Sequence, residues 1–354
     1  MAYTTIDNPE LYFQTKLYTG NSSTQAITLD GDEDMQPDFV WSKPRVSGGH
    51  FLSDSIRGGT KVLQAAETNA EITRGSHIQS FDTDGYTLAG DGTTNNNGDT
   101  TVSWNWKAGT AFSNDASATG IGSVDSSGSV NTDAGFSIVS FTGNGTAGAT
   151  IAHGLGAVPS WIILKDRDQA KNWNIYHKGN DSSPQNFTIR LNSTDARLDT
   201  PANGWNDTAP TSSVFSIGDG TQVNTSGSDM IAYIFAEKKG YSKFGSYTGN
   251  GNADGTFIYT GFRVGWLMIK NASTGSTYWT ICDSKRDGFN DNNHRLFPNE
   301  NDAESASNPW VMYSNGFKMT TTGSWVNSSG DNYIYMAFAE SPFVNSNGVP
   351  TNAR

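Results

Sequence analysis

The residues that could carry out chemistry are a recurring lysine and a single cysteine. Lys43, Lys165 and Lys270 each end a short apolar run, and a lysine can act as a nucleophile or a base. A lysine at the exit of a strand more commonly extends its amine to solvent, which is what we expect here. Cys282 lies in an alternating apolar stretch, and we expect it to be a small core residue.

An aspartate followed three residues later by an arginine occurs at two equivalent places. Asp54 and Arg57 in the first third of the chain correspond to Asp283 and Arg286 in the last third, whereas His177 stands where the middle third would have its aspartate. A shared active site would not lose its carboxylate in one copy. A local ion pair that braces a turn is therefore the better interpretation.

Metal and nucleotide chemistry have little support in the sequence. Asp30, Asp32 and Asp34 resemble the start of a calcium-binding loop, but Met35 and Trp41 occupy the positions where an EF-hand has Gly and Glu. The five histidines show no zinc-type spacing, and the phosphate-binding Gly-x-x-x-x-Gly-Lys-Ser/Thr spacing is absent. We expect no cofactor, no metal and no catalytic residue.

Three tryptophans are the candidate contacts to a glycan or a protein partner. Trp205, Trp310 and Trp325 lie among polar turn residues, so their rings are expected to be exposed. An exposed aromatic ring can stack on a sugar, although a loop anchor or an oligomer contact is the more common role.

Composition indicates which elements must position these residues. Of 354 residues only 16% are charged, while 12% are aromatic and 39 are glycine, which is typical of short strands joined by polar turns. The formal charge of −12 argues against nucleic acid and anionic membranes as partners. The apolar runs are too short to span a bilayer, and residues 1–10 lack the pattern of a secretory signal.

An internal repeat is the strongest signal in the sequence. Each copy opens with an aromatic residue followed by Thr-Gly-Asn, continues with an apolar run ending in lysine, and closes with an alternating strand. The threonine and the lysine are separated by 22 to 24 residues in every copy. The opening motifs are residues 18–21, 141–144 and 247–250, and the closing strands are residues 102–106, 231–235 and 334–338.

The repeat predicts an all-β fold of three tandem antiparallel β-sandwich, jelly-roll-like repeats. Residues 61–72 come close to helical spacing and are the one predicted exception. The predicted organisation is an N-terminal arm at 1–16, repeat 1 at 17–112, a flexible Ser/Gly-rich linker at 113–133, repeat 2 at 134–239, repeat 3 at 240–341 and a C-terminal tail at 342–354. The arms could dock on a neighbouring subunit, although disordered ends are more common.

Three blocks of the sequence are distinctive: His-Gly-Leu-Gly-Ala-Val-Pro at 153–159 with the apolar run at 161–165, and the segments at 35–41 and 240–251. These blocks resemble repeat-bearing virion proteins of marine tailed bacteriophages, often described as tail fibres or appendages. The resemblance runs from about Asn8 to Arg354 and implies a structural component without cofactor or catalytic residues. Val264 replaces an expected proline and Ser42 an expected apolar residue, which weakens any claim of one binding function shared by all units.

The sequence therefore predicts a non-enzymatic virion structural protein for assembly and host-surface attachment, synthesised in the host cytoplasm and located in the virion. Expected partners are other virion proteins and further copies of the chain, with a host-surface glycan as an additional candidate. Nucleic acid and membrane insertion are not expected. A lectin-like carbohydrate-binding module and a polysaccharide depolymerase remain alternatives, the latter because an acid pair converges only in three dimensions.

Overall fold

Strands make up 42% of the chain and helices 4%, which confirms the predicted all-β class. The computed structural model describes residues 2–90, 92–287, 290, 294–307 and 309–351; Met1 of the predicted arm and residues 352–354 of the predicted tail lie outside these ranges. The strand ladders among the described residues are antiparallel, as predicted. Helical segments are short: Pro9–Leu11 and Pro184–Asn186 are 3-10 turns, and α1 (Ala116–Thr119) and α2 (Ser284–Asp287) have one turn each.

The strands form three sets, which we call units 1, 2 and 3. Unit 1 comprises β1 (Phe13–Thr19), β2 (Gln25–Ile27), β3 (Phe39–Pro44), β4 (Phe51–Asp54), β5 (Lys61–Gln64), β6 (Ile72–Thr73), β7 (Ile78–Asp82), β8 (Gly85–Leu88) and β9 (Thr100–Trp106). Unit 2 comprises β10 (Thr110–Asn114), β11 (Ser126–Asn131), β12 (Phe136–Thr142), β13 (Ala149–Ala152), β14 (Trp161–Asp166), β15 (Asn174–His177), β16 (Phe187–Arg190), β17 (Leu198–Asp199), β18 (Val214–Ile217) and β19 (Asp229–Phe235). Unit 3 comprises β20 (Ser242–Thr248), β21 (Phe257–Tyr259), β22 (Phe262–Asn271), β23 (Thr280–Asp283), β24 (His294–Arg295), β25 (Ser305–Ala306), β26 (Trp310–Tyr313), β27 (Gly316–Met319) and β28 (Asn332–Pro342).

Each unit has a large sheet and a small sheet. The four central strands of the large sheets have the same order in every unit: β1-β9-β3-β4, β12-β19-β14-β15 and β20-β28-β22-β23. The small sheets are β2-β8-β7, β13-β18 and β21-β27-β26. The apolar runs and the closing strands predicted from the repeat are therefore the hydrogen-bonded neighbours at the middle of each large sheet.

The large sheets bury both faces, which explains why β14 is buried along its whole length. One face of each large sheet packs on the small sheet of its own unit. The other faces of all three meet in one shared core. At its centre Trp106, Phe235 and Phe338, which are equivalent residues of the three closing strands, lie pairwise 5.7, 5.9 and 6.4 Å apart between ring centroids. The units thus surround a pseudo-threefold axis.

The Thr-Gly-Asn motifs are held by a buried asparagine that the sequence analysis did not single out. Asn95, Asn224 and Asn327 accept, through Oδ1, a hydrogen bond of 2.8–3.0 Å from the backbone N–H of the motif's asparagine. The motif's glycine lies directly against the backbone carbonyl of the residue that follows the buried asparagine. A Cβ on Gly249 would be 2.2 Å from the oxygen of Ser328. The motif is a turn, as predicted, but its partner lies far away in sequence.

The prediction of a flexible linker at 113–133 is wrong. Strands β10 and β11 form a hairpin that pairs with β12 and extends the large sheet of unit 2. Gly128 faces so close to the neighbouring strand that a Cβ would lie 1.8 Å from the oxygen of Ile138, so the small residues suit a tight ladder. A sheet edge can recruit weakly apolar segments because the pairing satisfies their backbone groups.

The helical exception at 61–72 is also wrong, because these residues form β5 and β6 with a turn between them. Val62 and Leu63 are both buried in the edge of the large sheet. The N-terminal arm docks on its own chain: β1 already begins at Phe13, and Asp7 accepts a hydrogen bond of 2.6 Å from the backbone N–H of Ser346. The segments that precede unit 1 and follow unit 3 therefore contact each other.

Candidate functional site

The recurring lysines are buried, so the expectation that they extend to solvent is wrong. Lys43, Lys165 and Lys270 are fully buried, and each amine donates to a backbone carbonyl in the loop after its strand. The Lys270 Nζ lies 2.9 Å from both oxygens of Thr277. Burial lowers the pKa of Lys43 and of Lys165 to about 8 and that of Lys270 to about 7. These amines hold loops, and the repeat explains their recurrence.

Asp54 and Arg57 form the predicted local ion pair, and a residue of unit 2 completes it. The Arg57 Nε donates to the Asp54 Oδ2 at 2.5 Å. The hydroxyl of Tyr233 donates to the same oxygen at 2.7 Å and accepts from the Arg57 Nη2 at 3.0 Å. Burial alone would lower the pKa of Arg57, but Asp54, Tyr233 and Glu71 together outweigh it and the net shift is upward. The pair braces a turn and also ties two units together.

The same arrangement joins unit 3 to unit 1. Asp283 Oδ2 accepts from the Arg286 Nε at 2.7 Å and from the indole N–H of Trp104 at 3.1 Å. Trp104, Tyr233 and Met336 occupy equivalent positions of the three closing strands, and only methionine lacks a hydrogen-bond donor. In the third seam the Nε2 of His177 lies 3.2 Å from the backbone carbonyl of Tyr335, the residue before Met336. The unit that has histidine in place of the aspartate therefore adjoins the closing strand that has no donor at this position.

Glutamates reinforce two of the three seams between units. Glu71 accepts from Arg167 of unit 2 at 3.0 Å, and Glu304 accepts from Arg45 of unit 1 at 2.6 Å. In all three seams the backbone N–H at the equivalent position donates to a backbone carbonyl of the neighbouring unit; these residues are Glu71, Glu304 and Arg197. Arg197 takes the place of the glutamate between units 2 and 3. The buried charges thus tie neighbouring units together.

The predicted tryptophan contacts are mostly inside the protein. Trp205 is 1% exposed and Trp310 is 2% exposed, so the expectation of exposed rings is wrong for both. Each packs between a large sheet and its small sheet. Trp325 is half-buried, and the Arg295 guanidinium lies 3.9 Å above its ring. Polar neighbours in sequence concealed these anchors because turn residues flank a side chain that points inward.

The remaining candidates from the sequence are a core cysteine and three aspartates at the surface. Cys282 is fully buried, as expected for a core residue. Asp30 pairs with Lys16, while Asp32 and Asp34 are exposed. Within the described ranges, no group of three or more His, Cys, Asp or Glu side chains is placed to hold a metal ion.

A cleft at the seam of units 1 and 3 brings Glu10, Asp30 and Glu340 together with Lys285. Burial raises the pKa of Glu340, although Arg263 opposes the shift. A raised carboxyl pKa beside a second carboxylate is the pattern of a glycosidase acid pair. The cleft volume is only about 30 Å³, which has room for one or two water molecules. A sugar ring does not fit there.

The most distinctive surface is on the small sheet of unit 3, which we call the aromatic face. Phe257, Tyr259 and Tyr313 project from it with 45%, 48% and 38% of their surface exposed. The Phe257 and Tyr313 rings lie 5.7 Å apart, edge to face. Gly316 between them leaves room for the Phe257 ring, because a Cβ there would be 3.0 Å from its Cζ. Large apolar side chains exposed together commonly mark an interaction site.

The equivalent positions in the other units carry no aromatic residues. Strand pairing aligns the buried Ile27, Ile151 and Ile258 of the three small sheets. The positions of Phe257 and Tyr259 are then Ala26 and Thr28 in unit 1. In unit 2 they are Thr150 and Ala152, and Asp82 of unit 1 matches Tyr313. The aromatic face belongs to unit 3 alone and is not a consequence of the shared fold.

Residues of the chain's N-terminal segment and of the joint between units 2 and 3 border this face. The Tyr3 hydroxyl donates to the carbonyl of Gly261 at 2.8 Å and lies 3.0 Å from the Tyr259 hydroxyl. Since Tyr3 has one proton, Tyr259 is the donor between the two hydroxyls. The amines of Lys239 and Lys243 lie 4.4 and 5.7 Å from the ring centroids of Tyr3 and Tyr259. The face is therefore held in place and has cations at its rim.

The sequence did contain a signal for the aromatic face. Phe257 and Tyr259 flank an isoleucine at the place where every unit has its second strand, so aligning the copies shows two aromatic residues against small or polar ones. The tryptophans near turns are the more conspicuous aromatic residues in the sequence, but they do not form this surface. Tyr3 and Tyr313 could not be added without knowing which strands pair.

One family profile matches residues 8–342, and its description is Domain of unknown function (DUF7483). The chain belongs to this family. The DUF7483 match covers all three units and much of the N-terminal segment, so the family corresponds to the closed three-unit body and not to a single repeat. No curated protein matches the sequence. Among the helices of the described residues, none has the length and apolar character needed to cross a membrane.

Proposed function

We propose that this protein is a non-catalytic structural and attachment component, of the kind that tailed-phage virions display, and that it docks on a neighbouring protein subunit through the aromatic face. The exposed aromatic face is the observation that carries this proposal. The resemblance of the sequence blocks to virion appendage proteins supports the setting in a virion.

Size and composition indicate how the face would work. Phe257, Tyr259 and Tyr313 are 38–48% exposed, and with about 200 Å² per aromatic side chain they present roughly 260 Å². A standard protein interface takes about 800 Å² from each partner. The three rings would form the centre of such an interface, where aromatic anchors contribute most of the binding energy. Lys239 and Lys243 would lie on its polar rim.

The buried ionisable groups support a non-catalytic role. Asp54, Asp283 and Glu71 are each bonded to an arginine or to a residue of another unit. Catalytic acids and bases need access to a substrate, whereas these groups are used to keep three units together. Three units joined through one shared core suit a component that must hold its shape in an assembly.

The first experiment counts this chain in purified phage particles by mass spectrometry and locates it by cryo-electron microscopy. A fixed, symmetric number of copies with the aromatic face against a neighbouring subunit is expected. Finding the chain free in the lysate and absent from particles would overturn the proposal.

A second experiment replaces the face with the residues of unit 1. The triple variant Phe257→Ala, Tyr259→Thr and Tyr313→Asp should fold, because unit 1 has these residue types at the equivalent positions of its own small sheet. Its incorporation into particles should fall about tenfold or more. Val158→Ser, which removes a 55% exposed apolar residue of unit 2, is the control and should incorporate normally. Full incorporation of the triple variant would show that the aromatic face is not the docking surface.

A further inference from the structure

Unit 2 contains a polar pocket with a volume of about 260 Å³. Its hydrogen-bonding side chains include Asn174, Thr188, Arg190, Thr200 and Gln222, and no aspartate or glutamate lines it. This is unusual on a chain with 35 acidic residues and a formal charge of −12. The pocket adjoins the seam between units 2 and 3, because the backbone carbonyl of the lining residue Arg190 accepts a hydrogen bond from Trp279 of unit 3.

The pocket is open because two large side chains of unit 3 are small in unit 2. Gln222 precedes the buried Asn224 by two residues, as Trp325 precedes Asn327. Thr188 aligns with Arg295 because the next residues, Ile189 and Leu296, pair with the equivalent residues Ile175 and Ile281. In unit 3 the arginine stacks on the tryptophan at 3.9 Å and fills the space. The same architecture therefore forms a filled site in one unit and an empty one in another.

The polar groups of the pocket are held in fixed positions. The Oε1 of Gln222 accepts from the backbone N–H and the side-chain amide of Asn172 at 2.9 and 3.1 Å. The hydroxyls of Thr188 and Thr200 lie 2.9 Å apart. The backbone carbonyl of Arg190 accepts from an indole N–H of unit 3 at 2.9 Å. Preorganised donors and acceptors reduce the entropy that a ligand loses on binding.

Arg190 supplies the only positive charge among the lining residues. Its guanidinium is 3.6 Å from Asp195, and a third of its side chain is exposed, so the pair is loose. A guanidinium binds a carboxylate through two parallel hydrogen bonds, which a better-placed ligand could form. Leu198 and Val223 add apolar surface to the lining.

We propose that this pocket binds one sugar residue that carries a carboxylate, a hexuronate of an acidic polysaccharide. Pockets for drug-sized ligands measure roughly 300–1,000 Å³, so a volume slightly below this range suits a single sugar ring. The amides and hydroxyls match the sugar hydroxyls, Leu198 and Val223 match its C–H face, and Arg190 takes the carboxylate. This site goes beyond the docking role, because assembly through the aromatic face does not need it.

The test is calorimetric titration and saturation-transfer NMR of the full chain with glucuronate and galacturonate, with glucose as the neutral probe. At least one uronate should bind at a single site, about tenfold more tightly than glucose. Gln222→Trp, which copies unit 3, should abolish binding by filling the pocket. Arg190→Gln, which copies Gln64 of unit 1, should reduce uronate binding to the level of glucose.

Lys61→Gln is the matched control, because it removes one partly exposed positive charge from the corresponding strand of unit 1 and should leave binding unchanged. Circular dichroism and thermal unfolding show whether each variant is folded. Absence of binding by both uronates, or binding that survives both Gln222→Trp and Arg190→Gln, would overturn the proposal. The docking role would be unaffected by that result, since it depends on the aromatic face and is measured by incorporation into particles.

Discussion

The identity of a buried polar residue in this protein depends on what faces it across a seam between units. Asp54 receives the hydroxyl of Tyr233, whereas His177 adjoins the closing strand in which methionine replaces the donor. Burial lowers the pKa of His177 to about 3, so the imidazole is neutral and needs no counter-ion. The aspartate and the histidine each suit their own neighbour, which a pattern within one unit does not reveal.

Tyr233→Phe should destabilise the protein by about 1–3 kcal/mol, because it leaves the buried Asp54 and Arg57 without the hydroxyl that bridges them. Chemical denaturation of the variant and of the wild type measures this difference. Tyr278→Phe is the control: its ring is 46% exposed, so the change should stay within about 0.5 kcal/mol. Equal stabilities for all three proteins would contradict the role assigned to Tyr233.

Lys270→Met should change how stability depends on pH. Burial lowers the pKa of Lys270 to about 7 in the folded protein, from an ordinary value of 10.5. Above pH 7 the unfolded chain then binds more protons at this site than the folded one, so stability rises with pH until the ordinary pKa is reached. From pH 6 to 9.5 the wild type should gain on the order of 3 kcal/mol relative to the variant.

The measurement is the free energy of unfolding of both proteins across that pH range. Lys61→Met removes a partly exposed lysine and should leave the slope of the wild type unchanged. Parallel pH profiles for wild type and Lys270→Met would show that the buried amine keeps its ordinary pKa.

At the scale of elements, the sequence predicts local features well and their partners poorly. Thr-Gly-Asn at 247–250 was predicted as a turn because glycine and asparagine have turn chemistry. The asparagine that holds it, Asn327, lies 77 residues away and recurs as Asn95 and Asn224, so no local pattern links it to the motif. Strands β10 and β11 were missed for a similar reason, since their stability comes from pairing with β12 and not from their own apolar residues.

Gly249→Ala should destabilise the protein by about 1–3 kcal/mol, because the new Cβ would lie 2.2 Å from the carbonyl oxygen of Ser328 and backbone would have to move. Gly75→Ala is the control, since nothing lies within 4 Å of a Cβ there, and it should be neutral or slightly stabilising. Thermal unfolding of both variants measures the contrast. A tolerated Gly249→Ala would mean that the turn does not need this close approach.

At the scale of the whole molecule, the repeat predicted three copies and the all-β class, but not how the copies pack. Three independent sandwiches and one closed body would have the same strand pattern in the sequence. Alternation of apolar and polar residues shows that a strand has a buried face, but it does not show which element buries that face. Trp106, Phe235 and Phe338 would be core residues in either arrangement. The candidate sites were harder still, since both the aromatic face and the pocket of unit 2 arise where one copy departs from the others.

The shared core predicts that the three units unfold together. The large sheets of all units contribute to one cluster of buried side chains, and removing any unit would expose that cluster to water. A local defect in unit 3 should therefore lower the stability of unit 1. In Gly249→Ala, amide hydrogen exchange of β3 in unit 1 should accelerate by the full loss of global stability, and calorimetry should show one transition for the variant as for the wild type. If the β3 amides kept their protection while unit 3 lost its own, the units would be independent sandwiches joined in tandem, and the central cluster would contribute little to holding them together.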